Sequence, residues 1–225
     1  MDQEWLDQGI GSNSEVTENL LEMDRINRTF GGDQALFRHL LPRLRASGRR
    51  SVLADFGTGS GSLAGRILRW ASCQKLSVHV MGVDWSGRNL KIGSASMQSS
   101  RQLSLVQADA QSPPIATRAI DYSISTLFLH HLEPAKLVHA FLEAERISRR
   151  GIVMSDLVRG WIPYFLFHLI QPFFARNRLT RHDGALSILR AYQPEEVLTL
   201  AHQAGLTGAQ VFVHWPWRMT LVVDK

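Results

Sequence analysis

Ser51-Val52-Leu53-Ala54-Asp55-Phe56-Gly57-Thr58-Gly59-Ser60-Gly61 reads as a short apolar run, a carboxylate near its tip and a turn of closely spaced glycines. The residues that follow, SLAGRILRWAS, carry apolar side chains at helical spacing, so the stretch is a strand, a turn and a helix. Such glycines let the backbone approach a ligand and leave the first amides of the helix free to hold it. The next apolar run, VHVMGVD, ends on Asp84, where a doubly wound fold grips ribose hydroxyls. Gly59-Ser60-Gly61-Ser62-Leu63-Ala64 also fits the G-x-G-x-x-A form of the dinucleotide fingerprint, so the glycines alone leave two classes of nucleotide cofactor open. Asp55 favours a ligand with a cationic amino group over a pyrophosphate, whose charge it would repel. The Tyr-x-x-x-Lys pair of short-chain dehydrogenases is missing, because Thr126, His168 and Glu196 stand four residues after Tyr122, Tyr164 and Tyr192.

Outward from this stretch the strand and helix pattern repeats. LSLVQAD, AIDYSISTLF and GIVMSDL are further strands, SGRNLKIGSAS and PAKLVHAFLEAERI are helices, and the alternation implies a mostly parallel sheet with right-handed crossovers. A helix opens at Gln193-Pro194 and closes at Gly205. AQVFVHW and RMTLVVD, joined through Pro216-Trp217, must pair antiparallel at the end of the sheet. Before the first strand, Glu15 to Ala46 reads as two helices broken at Gly31-Gly32. One has an apolar face of Leu20, Leu21, Met23 and Ile26; the other has Leu36, Phe37, Leu40, Leu41 and Leu44. The expected organisation is a helical cap over 1–48 and an α/β core over 49–225 with an insertion at 158–192, in a single domain.

The 225 residues are 44% hydrophobic and 20% charged, enough for one substantial core. Cys73 is alone and no Cys/His spacing matches a zinc site, so neither a disulfide nor a metal is expected and a reducing, cytoplasmic setting is. The acidic first thirty residues lack the pattern of an export signal. Trp161 to Phe174, WIPYFLFHLIQPFF, is too short and too interrupted to span a bilayer. All but four of the 25 basic residues are arginines, giving a net charge of +5. They are spread along the chain (Arg43 with Arg45, Arg49 with Arg50, Arg149 with Arg150, Arg176 with Arg178 and Arg181), which reads as a solvated surface rather than a nucleic-acid groove.

Together these motifs resemble the class I S-adenosylmethionine-dependent methyltransferases, whose first motif, Asp/Glu-x-Gly-x-Gly-x-Gly, is matched by Asp55, Gly57, Gly59 and Gly61. The resemblance implies a Rossmann-like α/β fold with a mostly parallel seven-stranded sheet, a terminal antiparallel hairpin, a helical N-terminal cap and a lid insertion. It implies S-adenosylmethionine as cofactor. Asp55 and the amides of Gly57, Thr58, Gly59 and Gly61 would hold the methionine end and Asp84 the ribose, with Trp85 against the adenine, Asp109 and Ala110 at its amino group, and Thr126 at the end of the fourth strand. STLFLHHLEP, SDL and RLTRHDGALSILRAY are similar to small bacterial UbiE-like methyltransferases, including those encoded beside type III polyketide synthases. That similarity implies methyl transfer to oxygen or carbon of a small phenolic, quinone-like or polyketide-lipid acceptor. An RNA methyltransferase and a non-catalytic cofactor-binding protein are the alternatives.

Candidates for a base or for positioning the acceptor should lie beyond the carboxyl ends of the strands. His130 and His131 follow the fourth strand, Asp156 ends the fifth, and His182 lies in Arg181-His182-Asp183-Gly184, where a turn at Gly184 is expected. The aromatic stretch 161–174 has three readings: a helix packed on the sheet, a lid lining an apolar acceptor pocket, or a peripheral contact with the inner membrane. The motif of base-amino methylation is missing, since Thr126-Leu127-Phe128-Leu129 stands in its place, and Cys73 is badly placed for cytosine chemistry.

Overall fold

The structure is a computed structural model and describes residues 4–48, 50–96 and 101–225, so Arg49, the expected first residue of the core, lies outside them. Helices α1 (Asn13–Thr29) and α2 (Gly32–Ser47) precede the alternating elements. These are β1 (Ser51–Phe56), α3 (Ser62–Cys73), β2 (Val78–Asp84), α4 (Gly87–Ser96), β3 (Leu103–Gln107) and β4 (Ile120–Thr126). A single 3-10 turn (Leu129–His131) leads into α5 (Pro134–Ile147) and β5 (Ser148–Leu157). Then come α6 (Trp161–Phe174), α7 (Arg178–Arg190), α8 (Pro194–Gln203), β6 (Gln210–His214) and β7 (Arg218–Asp224).

The strands form one seven-stranded sheet in the order β3-β2-β1-β4-β5-β7-β6. β1 to β5 run parallel, while β7 pairs antiparallel with both β5 and β6, as the resemblance implies. Both faces of the sheet are covered, which is why its central strands are apolar on both faces rather than alternating. On one face Leu53, Val80, Ile124, Val153 and Val222 pack with Leu36, Leu40 and Leu44 of α2 and Ile67 of α3. On the other, Ala54, Phe56, Ile152, Met154 and Leu221 pack with Phe141 of α5 and Val197 of α8. Strand periodicity sends neighbouring residues to opposite layers, and the carboxyl ends of β1 to β5 share one edge.

Three expectations are corrected. Leu21 is exposed, because at 100° per residue the inward face of α1 runs through Val16, Asn19, Leu20, Met23 and Asn27, and two asparagines are buried on it. No turn forms at Gly184: α7 runs through it with Asn177 as N-cap, its Oδ1 accepting from the Leu179 amide at 2.9 Å. A Cβ there would lie 2.6 Å from the Phe167 ring of α6, so any larger residue would force that ring to shift. Finally, α6 is not packed on the sheet: none of its residues is buried and its neighbour is α7.

Candidate functional site

One cavity of about 1130 Å³ opens at the carboxyl edge of the sheet. Its first end is the turn after β1, where Gly57, Gly59 and Gly61 have φ of +66°, +55° and +73°, a region costly for other residues. At Gly57 a Cβ would also meet Phe128 at 2.5 Å. The turn closes through Gly61 N to Thr58 O at 2.8 Å, and α3 begins with no side-chain cap, so its first amides stay available. Asp84 lies at the tip of β2 and accepts from Gly59 N at 2.8 Å and Ser86 N at 2.9 Å. Burial raises its pKa, and those two bonds oppose the rise. Asp55 is buried behind the turn, where burial pushes its carboxyl up to about 7 against the 2.7 Å bond donated by Thr58 Oγ1.

Gly57, Thr58, Gly59, Asp84, Trp85, Asp109, Ala110 and Thr126 line the cavity, whereas Asp55 and Gly61 sit behind its wall. Trp85 is 62% exposed, an indole left uncovered beside the cavity. Asp109 turns back to accept from Gln111 N at 2.9 Å. Asn89 also lines this space, and its buried Oδ1 has no hydrogen-bond partner among the described residues. A carboxylate whose pKa burial raises, an uncapped helix start and an unpartnered amide oxygen fit a nucleoside ligand bearing an ammonium group.

The other end is built on the 3-10 turn after β4 and on the tip of β5. Asp156 accepts from the amides of His130 at 3.1 Å and Leu157 at 2.6 Å, and its Oδ1 lies 2.7 Å from His130 Nδ1. Burial would raise the Asp156 pKa, but His130 and these amides hold it below the ordinary value. His130 is buried and lines the cavity, and Asp156 stands behind it. His131 Nδ1 lies 2.9 Å from Asp7 Oδ2. Burial works against its charge, yet Glu4, Asp7 and Asp156 hold its proton up to about 9.

Glu4, Asp7 and Arg190 belong to this end as well, and sequence reasoning missed all three. The N-terminal segment reaches the site because Asp183 accepts from Trp5 N at 2.9 Å and Leu6 N at 3.1 Å, while Ser187 Oγ donates to Glu4 at 2.8 Å. His182 is not among the cavity-lining residues; it bonds Asp183 at 2.8 Å and stacks on Trp5 with 4.0 Å between ring centroids. The structure therefore brings His130, His131 and Asp156 together and leaves His182 outside the cavity. From the 158–192 insertion, Arg159, Asp183, Ser187, Arg190 and Tyr192 line the cavity, but no residue of α6 does.

Residues 53–151 match the sequence profile of a methyltransferase-domain family. This stretch is similar to methyltransferase domains. That match spans β1 to the start of β5, the part that builds the glycine turn, Asp84, Asp109 and the histidine pair. No curated protein matches the chain in sequence. Among solved structures, human N-acetylserotonin methyltransferase in complex with SAM is similar with a TM-score of 0.69 and 14% identity, over 100% of this chain and 63% of that one. A SAM-dependent methyltransferase from Aquifex aeolicus is similar with a TM-score of 0.57 and 12% identity, over 96% and 99% of the two chains. A protein described as a methyltransferase of an antibiotic-biosynthesis pathway in Anabaena variabilis shares 20% identity with a TM-score of 0.54, and the chain spans 59% of its length. At these identities the likeness is one of fold. The matched residues thus sit within an α/β fold like that of these proteins.

Proposed function

We propose that this protein transfers a methyl group from S-adenosylmethionine to oxygen or carbon of a small aromatic, quinone-like or polyketide-lipid acceptor. The observation that carries the reading is the single cavity joining the glycine turn and Asp84 at one end to Glu4, His130 and His131 at the other. When bound, the cofactor supplies an electrophilic methyl on a positively charged sulfur. The amides of the glycine turn would hold its methionine end with Asp55 behind them, Asp84 the ribose, and Trp85 with Asp109 the adenine. The chain's remaining work is to place the acceptor in line and give its proton a destination. Asp156 fixes the His130 ring through Nδ1 and so presents Nε2, and the imidazole and carboxylate cluster around it takes up the proton of an acceptor hydroxyl. His131, already holding its proton to about 9, instead lends positive charge to an acceptor oxygen.

A small acceptor is favoured over RNA by where the arginines are spent. Arg43 pairs with Asp224, Arg66 with Asp24 and Asp33, Arg146 with Glu143, Arg159 with Glu196 and Arg178 with Glu15. Arg149 and Arg150 both face Asp121. The 161–174 helix belongs to this reading as a peripheral membrane contact that gives lipidic acceptors a short path to the site. Trp161, Phe165, Leu169 and Phe173 form one exposed row at four-residue spacing, with Ile162 beside it and the exposed Arg176 at its end.

Calorimetric titration of S-adenosylmethionine into Asp55→Asn and Asp84→Asn variants tests the cofactor assignment. Each variant should bind at least about tenfold more weakly, through loss of a direct contact at Asp84 and of a buried charge behind the glycine turn at Asp55. Unchanged affinity in both would remove these residues from the site.

A further inference from the structure

Glu4, His130 and His131 come from distant parts of the chain and meet at the cavity wall. His130 Nε2 lies 3.7 Å from Glu4 Oε1 and His131 Nδ1 lies 3.9 Å from Glu4 Oε2, with the donor atoms all within 4.8 Å of one another. These separations are too long for hydrogen bonds, so the three groups face one another without being satisfied by one another. Donors about 2.0–2.2 Å from a four-coordinate ion stand roughly 3.5 Å apart, so closing on an ion takes side-chain shifts of about 1 Å.

The surroundings match what a metal site needs beyond its ligands. His130 donates through Nδ1 to a buried carboxylate, Asp156, which is itself held by two backbone amides. A metal-binding imidazole is oriented in that way, with its other nitrogen fixed on a carboxylate. Glu4 is held by Ser187 Oγ at 2.8 Å, and Asp7 stands against His131 at 2.9 Å. Glu4 and His130 are 3% and 2% exposed, so a cation there is sheltered from water. Three carboxylates, Glu4, Asp7 and Asp156, surround the two imidazoles, with Arg190 the cation nearby, donating to His131 O at 3.0 Å.

We infer that Glu4, His130 and His131 form a binding site for one divalent transition-metal ion at the acceptor end of the cavity. Two imidazoles and a carboxylate suit zinc, cobalt, manganese or ferrous iron rather than calcium or magnesium, whose sites are built from oxygen donors. The inference deepens the proposed function and, for what the ion does there, rests on it. Binding the ion displaces the Nδ1 proton of His131 to solvent, releases Asp7 from its hydrogen bond and puts the ion's charge where the protonated ring's charge stands in its absence. An acceptor hydroxyl in the position open to the cavity then breaks its O–H bond, the electron pair staying on the ion-bound oxygen and the proton passing to Asp7. The motif-based expectation of no metal did not weigh Glu4, which lies in the N-terminal segment, far in sequence from the histidines it meets.

The test is titration of Co²⁺ into the chelator-stripped full-length protein, read by visible absorption without S-adenosylmethionine or acceptor. Wild type should saturate at one equivalent with an absorption typical of nitrogen and oxygen ligands. Glu4→Gln and His130→Ala should each weaken binding about tenfold or more, and Asp156→Asn by a factor in the 10–100 range typical of outer-shell partners. Glu4→Gln keeps a side-chain oxygen to accept from Ser187 and lies at the end of the cavity away from the glycine turn, so thermal melting and calorimetric S-adenosylmethionine affinity should stay at wild-type values and exclude misfolding. The imidazole pair His39 and His214, 3.2 Å apart where α2 meets β6 and outside the cavity lining, is the control. Absence of saturable absorption in wild type would overturn the site, as would saturation that survives Glu4→Gln and disappears in His214→Ala. Because the titration measures no transfer, its failure would remove the ion and leave the proposed function standing.

Discussion

Asp55 is a buried carboxylate whose only hydrogen-bond donor in the structure is a threonine hydroxyl, and its protonation should be visible in the protein's stability. Its pKa, about 7 in the folded protein against 3.8 for an ordinary aspartate, is raised by burial. The folded state therefore holds a proton between about pH 4 and 7 that the unfolded chain has lost, and the contribution of Asp55 to stability falls as pH rises through that window. Without cofactor, the wild-type melting temperature should drop between pH 5 and pH 7.5 relative to Asp55→Asn. An ammonium group brought near Asp55 favours the carboxylate, so the thermal gain from S-adenosylmethionine should grow over the same range. Parallel pH profiles for the two proteins in differential scanning fluorimetry would mean that Asp55 does not titrate there. Such residues differ in how far sequence reveals them. Asp55, Asp84 and His130 follow strand ends, where position alone points to the cavity edge. Glu4, Asp7 and Asn89 carry no such mark: their roles come from where a non-repeating segment or a helix face lies against the sheet.

At the scale of elements, periodicity and turn residues placed every strand of the sheet, because strands buried on both faces leave unbroken apolar runs between glycine and proline signals. The helices outside the sheet were read less well. Composition marked α6 as apolar but could not say against what, and the helix proved to present its row of aromatic and aliphatic side chains outward. If that row rests on lipid, Phe173→Ser with Leu169→Ser should abolish co-sedimentation with vesicles containing anionic lipid while leaving S-adenosylmethionine affinity unchanged. Equal sedimentation of wild type and variant would end the membrane reading. Gly184 looked like a turn because glycine usually marks one, whereas here it makes room for Phe167 between two helices. That α7 in turn fastens the N-terminal segment through Asp183, so Asp183→Ala should speed amide hydrogen exchange at residues 5 and 6 without affecting exchange in β1 or β4. Protection unchanged at Trp5 and Leu6 would show that the segment is held by other contacts.

Across the whole molecule, the parallel sheet gathers the glycine turn, Asp84 and the His130–Asp156 pair at one edge, and elements outside the matched domain close the cavity over them. α1 contributes Asn19 and Asn27, α7 contributes Arg190, and the N-terminal segment contributes Glu4. The architecture was legible because strand order follows from βαβ crossovers and a terminal hairpin. The acceptor end was not, because it is assembled from pieces remote in sequence whose meeting depends on tertiary packing. The central claim is methyl transfer from the glycine-turn end of this cavity to a small molecule at the histidine end. It is tested most directly by incubating the protein with methyl-labelled S-adenosylmethionine and a host-cell extract, then separating organic-soluble, RNA and protein fractions. Label should enter the organic-soluble fraction and fall by about 10²-fold or more in His130→Ala. Label confined to RNA or protein, or none in any fraction, would contradict the account.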